Sequence, residues 1–255
     1  MTRRLFTLLI PALILTACSK KNTSIDDPAG KPDISAVPAH FSQNILIEKF
    51  TSSLGGQCPK ADFFSDSLMR FNPGRVFTAA IHINDMMMDS SLLNIFSYTH
   101  VIDSFYNPAH FYPFGMINRN YGQAMSTGVT GWGTQVQTTI GSSPSCGLAL
   151  EANTLVSGVL DLTVHVGFAE DMAGEYHIHG YLVENTVRSS DSLYDQLNDF
   201  SSQGISPDTT LPFYALNDTI HQYTYGQVVR KIFSSNKLDG DAIPAAIMKK
   251  GADYV

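Results

Sequence analysis

The stretch ILIEKFTSSLGGQCPKADFFSDSL, residues 45–68, constrains the fold more than any other part of the chain. Its first residues, Ile45 to Phe50, are short, apolar and β-rich, which predicts a buried strand. From Pro59 the period changes: Phe64, Leu68 and Phe71 stand at i, i+4 and i+7, one face of a helix. Pro59 suits the first helical position, where its missing N–H costs nothing, and Asn72-Pro73-Gly74 supplies the stop. A second β-rich run, Arg75 to Ile83, follows. Strand, helix and strand in this span make a crossover unit whose strands must be parallel, so a helix has to cover at least one face of the sheet.

Further along, Asp89 can cap a helix through SSLLNIFSYTHVIDSFY, with Leu92, Leu93 and Phe96 inward and Asn107-Pro108 at its end. A proline then precedes a strand over Phe114 to Asn118, a turn is expected at Asn120-Tyr121-Gly122, and a glycine-bearing helix from Thr130 to Ile140. After Gly141-Ser142-Ser143-Pro144 strands dominate. Leu160, Leu162, Val164, Val166 and Phe168 alternate with Asp161, Thr163, His165 and Gly167, the pattern of a sheet with one wet face. Glu175 to Val183, with Tyr176, Ile178, Gly180 and Leu182 inward, is expected to pair with it as a hairpin. SSDSLYDQLNDFSSQGISPDT reads as a polar excursion, and GQVVRKIF as another strand, with Arg230 paired inside the β region. The expected fold class is therefore α/β plus all-β: an α/β domain over residues 40–143, then an antiparallel β-sandwich-like domain over 144–255.

The first residues carry Arg3, Arg4 and an apolar stretch from Leu5 to Leu15, the layout of an export signal over residues 1–17. Leu15-Thr16-Ala17-Cys18 resembles the lipobox of bacterial lipoproteins, which implies cleavage before Cys18 and acylation of that residue. Acyl chains would hold the protein on a membrane without a spanning segment, and the sequence has no second long apolar run. Residues 18–39 are polar and proline-bearing, as a flexible tether should be. Ser19, after the lipid cysteine, lacks the aspartate that marks inner-membrane retention in some bacteria, which favours the outer membrane. Loss of Arg3 and Arg4 with the signal takes the formal charge from −7 to −9, and the sequence has no basic cluster, which argues against a nucleic-acid partner.

Cys58 at the start of the expected helix is placed where unpaired N–H groups and the helix dipole stabilise a thiolate. Redox enzymes use two cysteines there: an exposed one attacks, and one a turn deeper resolves the mixed disulfide. Here the partner position three residues earlier is Gly55, so Cys58 cannot cycle within the turn. With Cys18 assigned to lipid, Cys146, in SSPSC, is the other cysteine. It could form a structural bridge with Cys58 or stay an isolated thiol.

ILIEKFTSSLGGQCPKA, FTAAIHIND, FYPFGMINR, GYLVENTV and YGQVVRKIF together resemble the outer-membrane-protein-28-related lipoproteins, from about residue 44 to the end of the sequence. The resemblance implies a thioredoxin-like domain joined to a C-terminal β-rich domain, and implies no particular activity. It places Phe50, Thr51 and Pro59 on the thioredoxin-like motif, Leu54 where a tryptophan is common, Gly55 in the attacking cysteine's place and Cys58 as the resolver. Pro113, between Tyr112 and Phe114, takes the position of the cis proline that faces the cysteines in that fold. Leu54, Cys58, Tyr112, Pro113 and Phe114 would then line a groove suited to extended peptides or envelope proteins. The reading that follows is a lipid-anchored outer-membrane module for binding or structure. Its rival is a thiol–disulfide oxidoreductase using Cys58 with Cys146 or a partner's thiol.

Other constellations are thinner. His165, His177 and His179 point to one face of the expected hairpin and could form a metal site, closed by Asp161 or Glu175, or stand as exposed strand positions. Met86-Met87-Met88 after His82 offers soft ligands for copper(I), or simply caps a core. No G-x-x-x-x-G-K-[ST] or G-x-S-x-G pattern occurs, so no nucleotide cofactor or serine-hydrolase chemistry is implied.

Overall fold

The computed structural model describes residues 37–88, 112–154, 160–236 and 239–255. The signal, Cys18, the tether up to residue 36 and the helix expected after Asp89 lie outside the described residues. The elements are β1 (Ile45–Thr51), α1 (Cys58–Phe71), β2 (Val76–His82), β3 (Phe114–Ile117), α2 (Tyr121–Ile140), β4 (Cys146–Thr154) and β5 (Leu160–Phe168). There follow β6 (His177–Ile178), β7 (Tyr181–Glu184), β8 (Gln196–Leu197), β9 (Thr219–Ile220), β10 (Val228–Ile232), β11 (Asp241–Ala242) and β12 (Asp253–Tyr254).

β1 and β2 are parallel, with Ile45 opposite Val76 and Thr51 opposite His82, as the crossover through α1 requires. β3 is antiparallel to β1, and Phe114 faces Phe50. The sheet is apolar on both faces, which suits strands covered from both sides. On one face Ile45, Ile47, Val76 and Ile117 pack against Ala61 of α1 and against Trp132 and Val136 of α2. On the other, Phe50, Ala79, Ile81 and Met116 meet Val229 and Ile232. Trp132 lies so close over Gly115 that a Cβ there would enter the indole.

Two helices differ from expectation in detail. α1 buries Cys58, Ala61 and Ser65, while Phe71, expected inward, is 75% exposed. The small residues let the helix lie close to the sheet, which a search for large apolar side chains overlooks. α2 begins at Tyr121, so the turn expected at residues 120–122 is absorbed into it. Gly128, at φ 55 and ψ −169, breaks the helix internally.

The later strands pair differently from the expected hairpin. β5 runs its full length beside β4, from Cys146 opposite Phe168 to Thr154 opposite Leu160, and β12 lies on its other side. The segment 175–183 is divided: β6 pairs with β11, and β7 pairs with β10. β10 also joins β2 in parallel, which completes a five-stranded sheet in the order β3-β1-β2-β10-β7. This sheet crosses the boundary expected at residue 143. In place of one antiparallel sandwich, the remaining β structure forms small sheets, β12-β5-β4, β11-β6 and β8-β9. The face of β5 expected to be wet is covered at its Gly167 end, while Asp161 stays exposed: Val37 and Phe41 lie on Gly167, and Phe41 on Gly147 directly opposite it. Among the described residues no helix is long and apolar enough to cross a membrane.

Candidate functional site: the cysteine turn and its cover

β1 delivers the chain to the turn Ser52–Gln57, and α1 begins at Cys58 with Gln57 as its N-cap. The Cys58 amide donates to the Gly55 carbonyl at 2.9 Å, and the Ser52 amide donates to Cys58 Sγ at 3.5 Å. An ideal Cβ on Gly55 would stand 2.5 Å from that sulfur, so Gly55 holds the place of a residue that would touch the thiol. The Tyr112–Pro113 peptide is cis, and Pro113 sits one step beyond the Phe50–Phe114 pair, at the strand end that leads into the turn.

The electrostatics oppose a nucleophile. A helix N-terminus lowers a thiol's pKa, yet burial outweighs it here and pushes Cys58 up to about 11, even with hydrogen bonds from Thr51 and Ser52 acting downward. Cys58 has no exposed surface. Cys146, half-buried against the Val166 and Phe168 cluster, is also raised by burial. Both thiols are free, so the bridge weighed between them is not formed.

The turn that carries Cys58 is itself overlaid by the polar excursion. Residues 187 and 225 are pinned by reciprocal 2.9 Å backbone hydrogen bonds, and the loop between them folds over α1 and the turn. Leu197 N donates to Ser53 O, Asp199 N to Gly56 O, and Gln196 Nε2 to Gly55 O, each at 2.9 Å. Gln57 Nε2 returns a bond to Asp199 Oδ2 at 2.8 Å. The Asp199 carboxylate fills the space where a Cβ on Gly56 would stand, so Gly56 is needed for close approach. Phe200, Leu211 and Phe213 pack with Phe63 of α1, and Lys60 reaches Asp208 at 3.5 Å and the Phe200 ring. Asn198, buried, donates to Phe213 O and Asn217 O and accepts from Phe200 N, which knits the loop to itself.

Several charges around the turn were illegible in the sequence. Glu48 and Lys49, neighbours in β1, are both buried and point to opposite faces. Lys49 pairs with Asp62 and donates to Ser65 Oγ at 3.3 Å, while Tyr223 donates to Asp62 at 2.9 Å. Burial, then the Asp62 charge, holds the Tyr223 hydroxyl well above the usual tyrosine range. Glu48 takes the Arg119 guanidinium through Nε and Nη2, together with the Tyr181 hydroxyl. His82 Nδ1 lies 2.7 Å from Asp85 Oδ2, and Asp85 also accepts from the amides of Ser53 and Met87 at 2.8 and 2.9 Å. Asp85 therefore fixes the near side of the turn. The spacing His82-x-x-Asp85 at a strand end was the available signal.

Of the expected groove, Leu54 is 63% exposed, Tyr112 and Phe114 are partly buried against the sheet, and Cys58 is wholly buried. The histidines are not brought together. His165 of β5 meets Asp253 at 2.8 Å, His177 approaches Gly240 O at 3.3 Å, and His179 packs on Tyr181 near Arg119. With the hairpin unformed they have no common face, and among the described residues no group of three or more His, Cys, Asp or Glu side chains could hold a metal ion. Met87 is wholly buried among Val187, Tyr225 and Val228, as part of a core cluster. Arg230 pairs with Glu184 of β7 at 2.6 Å.

Comparison with protein families matches residues 101–254 to the family described as outer membrane protein Omp28. No curated protein matches the chain. Among solved structures, HBP35 of Porphyromonas gingivalis is similar in fold, with 18% identity and a TM-score of 0.58 over 84% of this chain. The chain spans 63% of the length of that protein. A crystal structure from Agrobacterium tumefaciens aligns at 11% identity over 81% of each chain, with a TM-score of 0.39.

Proposed function

The chain belongs to the Omp28 family of outer membrane proteins, and from that premise we propose that it is a lipoprotein, anchored by acyl chains on Cys18, that binds or scaffolds rather than catalyses. Its platform is a thioredoxin-like domain over residues 40–143, completed by β7 and β10, with a degenerate sulfur-exchange site. The parallel β1–α1–β2 crossover, the antiparallel β3 after a cis proline and the cysteine at the start of α1 support the thioredoxin-like reading. One observation carries the loss of chemistry: Gly55 stands beside Cys58 Sγ where the attacking cysteine would be, and the remaining thiol is buried with its pKa raised. A neutral, covered thiol is a poor nucleophile toward a substrate disulfide, and among the described residues no second cysteine is bonded to Cys58 to resolve a mixed one. Leu54, Tyr112, Pro113 and Phe114 offer an apolar surface beside the turn for an extended peptide of an envelope partner.

The test is an insulin-reduction assay on the purified chain with wild-type and Cys58→Ser protein. The expected result is no turnover by either. Turnover by the wild type that disappears in Cys58→Ser overturns the proposal and restores the oxidoreductase reading.

A further inference from the structure

The cysteine turn is a receptor for an extended segment, and the chain supplies that segment itself. Four hydrogen bonds join Gln196, Leu197 and Asp199 to Ser53, Gly55, Gly56 and Gln57, and three of them use carbonyls of the turn as acceptors. The segment thereby occupies the carbonyl edge of the turn from which α1 and Cys58 start. The contact is specific, since Gly56 and Asp199 fit only because one has no side chain and the other fills that space.

The seam is also incompletely satisfied. Ser53 Oγ and Gln196 Oε1 are buried there with no hydrogen-bond partner among the described residues. Undocking exposes both to solvent, which offsets part of the loss of the four bonds. The loop also has bonds of its own that the seam does not make: β8 pairs with β9, Asn198 N donates to Asp218 O at 2.8 Å, and the Val187–Tyr225 bridge closes its base. Release of the seam therefore needs neither the five-stranded sheet nor the loop to unfold.

We propose that Gln196–Asp199 is a built-in lid on the cysteine turn, and that its undocking, not global unfolding, is the step that opens Cys58 Sγ to reagents. This rests on the non-catalytic reading of the same turn and adds a regulated access to it.

Native-state labelling of the full chain with a maleimide, read by mass spectrometry of the Cys58 and Cys146 peptides, tests the lid. In a Gln196→Ala/Asp199→Ala variant Cys58 is expected to label about tenfold faster or more, while Cys146 and the thermal midpoint stay near wild type. Asp199→Asn, which retains an acceptor for Gln57, should label near the wild-type rate. Unchanged Cys58 labelling in the double variant, or acceleration shared by Cys146, overturns the lid. If the double variant does not fold, hydrogen exchange in the wild type decides. The Leu197 and Asp199 amides should exchange well before those of β1, and equal protection overturns the proposal. The insulin assay on the same variant separates the two ideas. Fast labelling with turnover keeps the lid and ends the non-catalytic reading, whereas slow labelling without turnover does the reverse.

Discussion

The five-stranded sheet and the loop from Val187 to Tyr225 are ordered by different means. The sheet and its helices bury a continuous apolar layer, Ile45, Ile47, Val76, Ile117, Trp132 and Val136 on one face alone. The loop has a small cluster, Phe200, Leu211 and Phe213, and otherwise depends on paired polar groups such as Asn198, Asp195 with His221, and Asp208 with Thr210. A segment poor in apolar residues can thus hold one conformation when its backbone groups find partners locally and its few aromatics rest on another element. The sheet is expected to tolerate loss of the loop better than the loop tolerates loss of the sheet.

Three measurements sharpen that contrast. Trp132→Ala removes the largest fully buried side chain of the sheet layer, and is expected to cost about 3–5 kcal/mol in urea unfolding, with every probe moving together. If only probes in the loop respond, the division of labour is wrong. The second concerns alkaline pH, because Cys58 lies on the seam of the two regions. Its folded-state pKa of about 11 exceeds the ordinary 9.0, so the folded chain holds this proton more tightly than the unfolded one. Stability is then whole below pH 9 and falls as pH rises through 11, by about 2–3 kcal/mol in total from this group. Tyr223, also raised, acts in the same sense from about pH 10 upward. Urea midpoints at successive pH values should show the decline, and Cys58→Ala should flatten its first part. An equal slope in that variant removes Cys58 as its source. The smallest effect is expected from Asn198→Ala, which strands the Phe213 and Asn217 carbonyls. About 2 kcal/mol should be lost, confined to exchange protection within the loop while the β1 amides keep theirs.

Periodicity made the first half of the fold legible. Ile45 to Phe50, the helix after Pro59 and the strand ending near Ile83 stand where the pattern placed them, and the cis peptide at Pro113 is the one the family resemblance implied. It failed for strand partners. β5 alternates so regularly that its apolar face was clear, yet alternation cannot say whether β4 or residues 175–183 lies alongside, and both carry suitable residues. The paired glycines 147 and 167, which admit Phe41, were the better signal. At the candidate site Gly55 and Cys58 were evident from spacing, but the cover was not. Its contacts run from backbone carbonyls to Gln196, Leu197 and Asp199, more than a hundred residues away, and no side-chain pattern announces such pairing. Glu48 and Lys49 show the same limit: their partners Arg119 and Asp62 become visible only once the strand's two faces are assigned.

The packing of Val37 and Phe41 on the glycines of β4 and β5 has a mechanical consequence. Tension entering through the residues before Val37 is first borne by that hairpin, shearing Phe41 along Gly147 and Gly167. The strand that carries the cysteine turn starts at Ile45, after this contact, so a pull on Val37 meets the Phe41 packing before it meets β1.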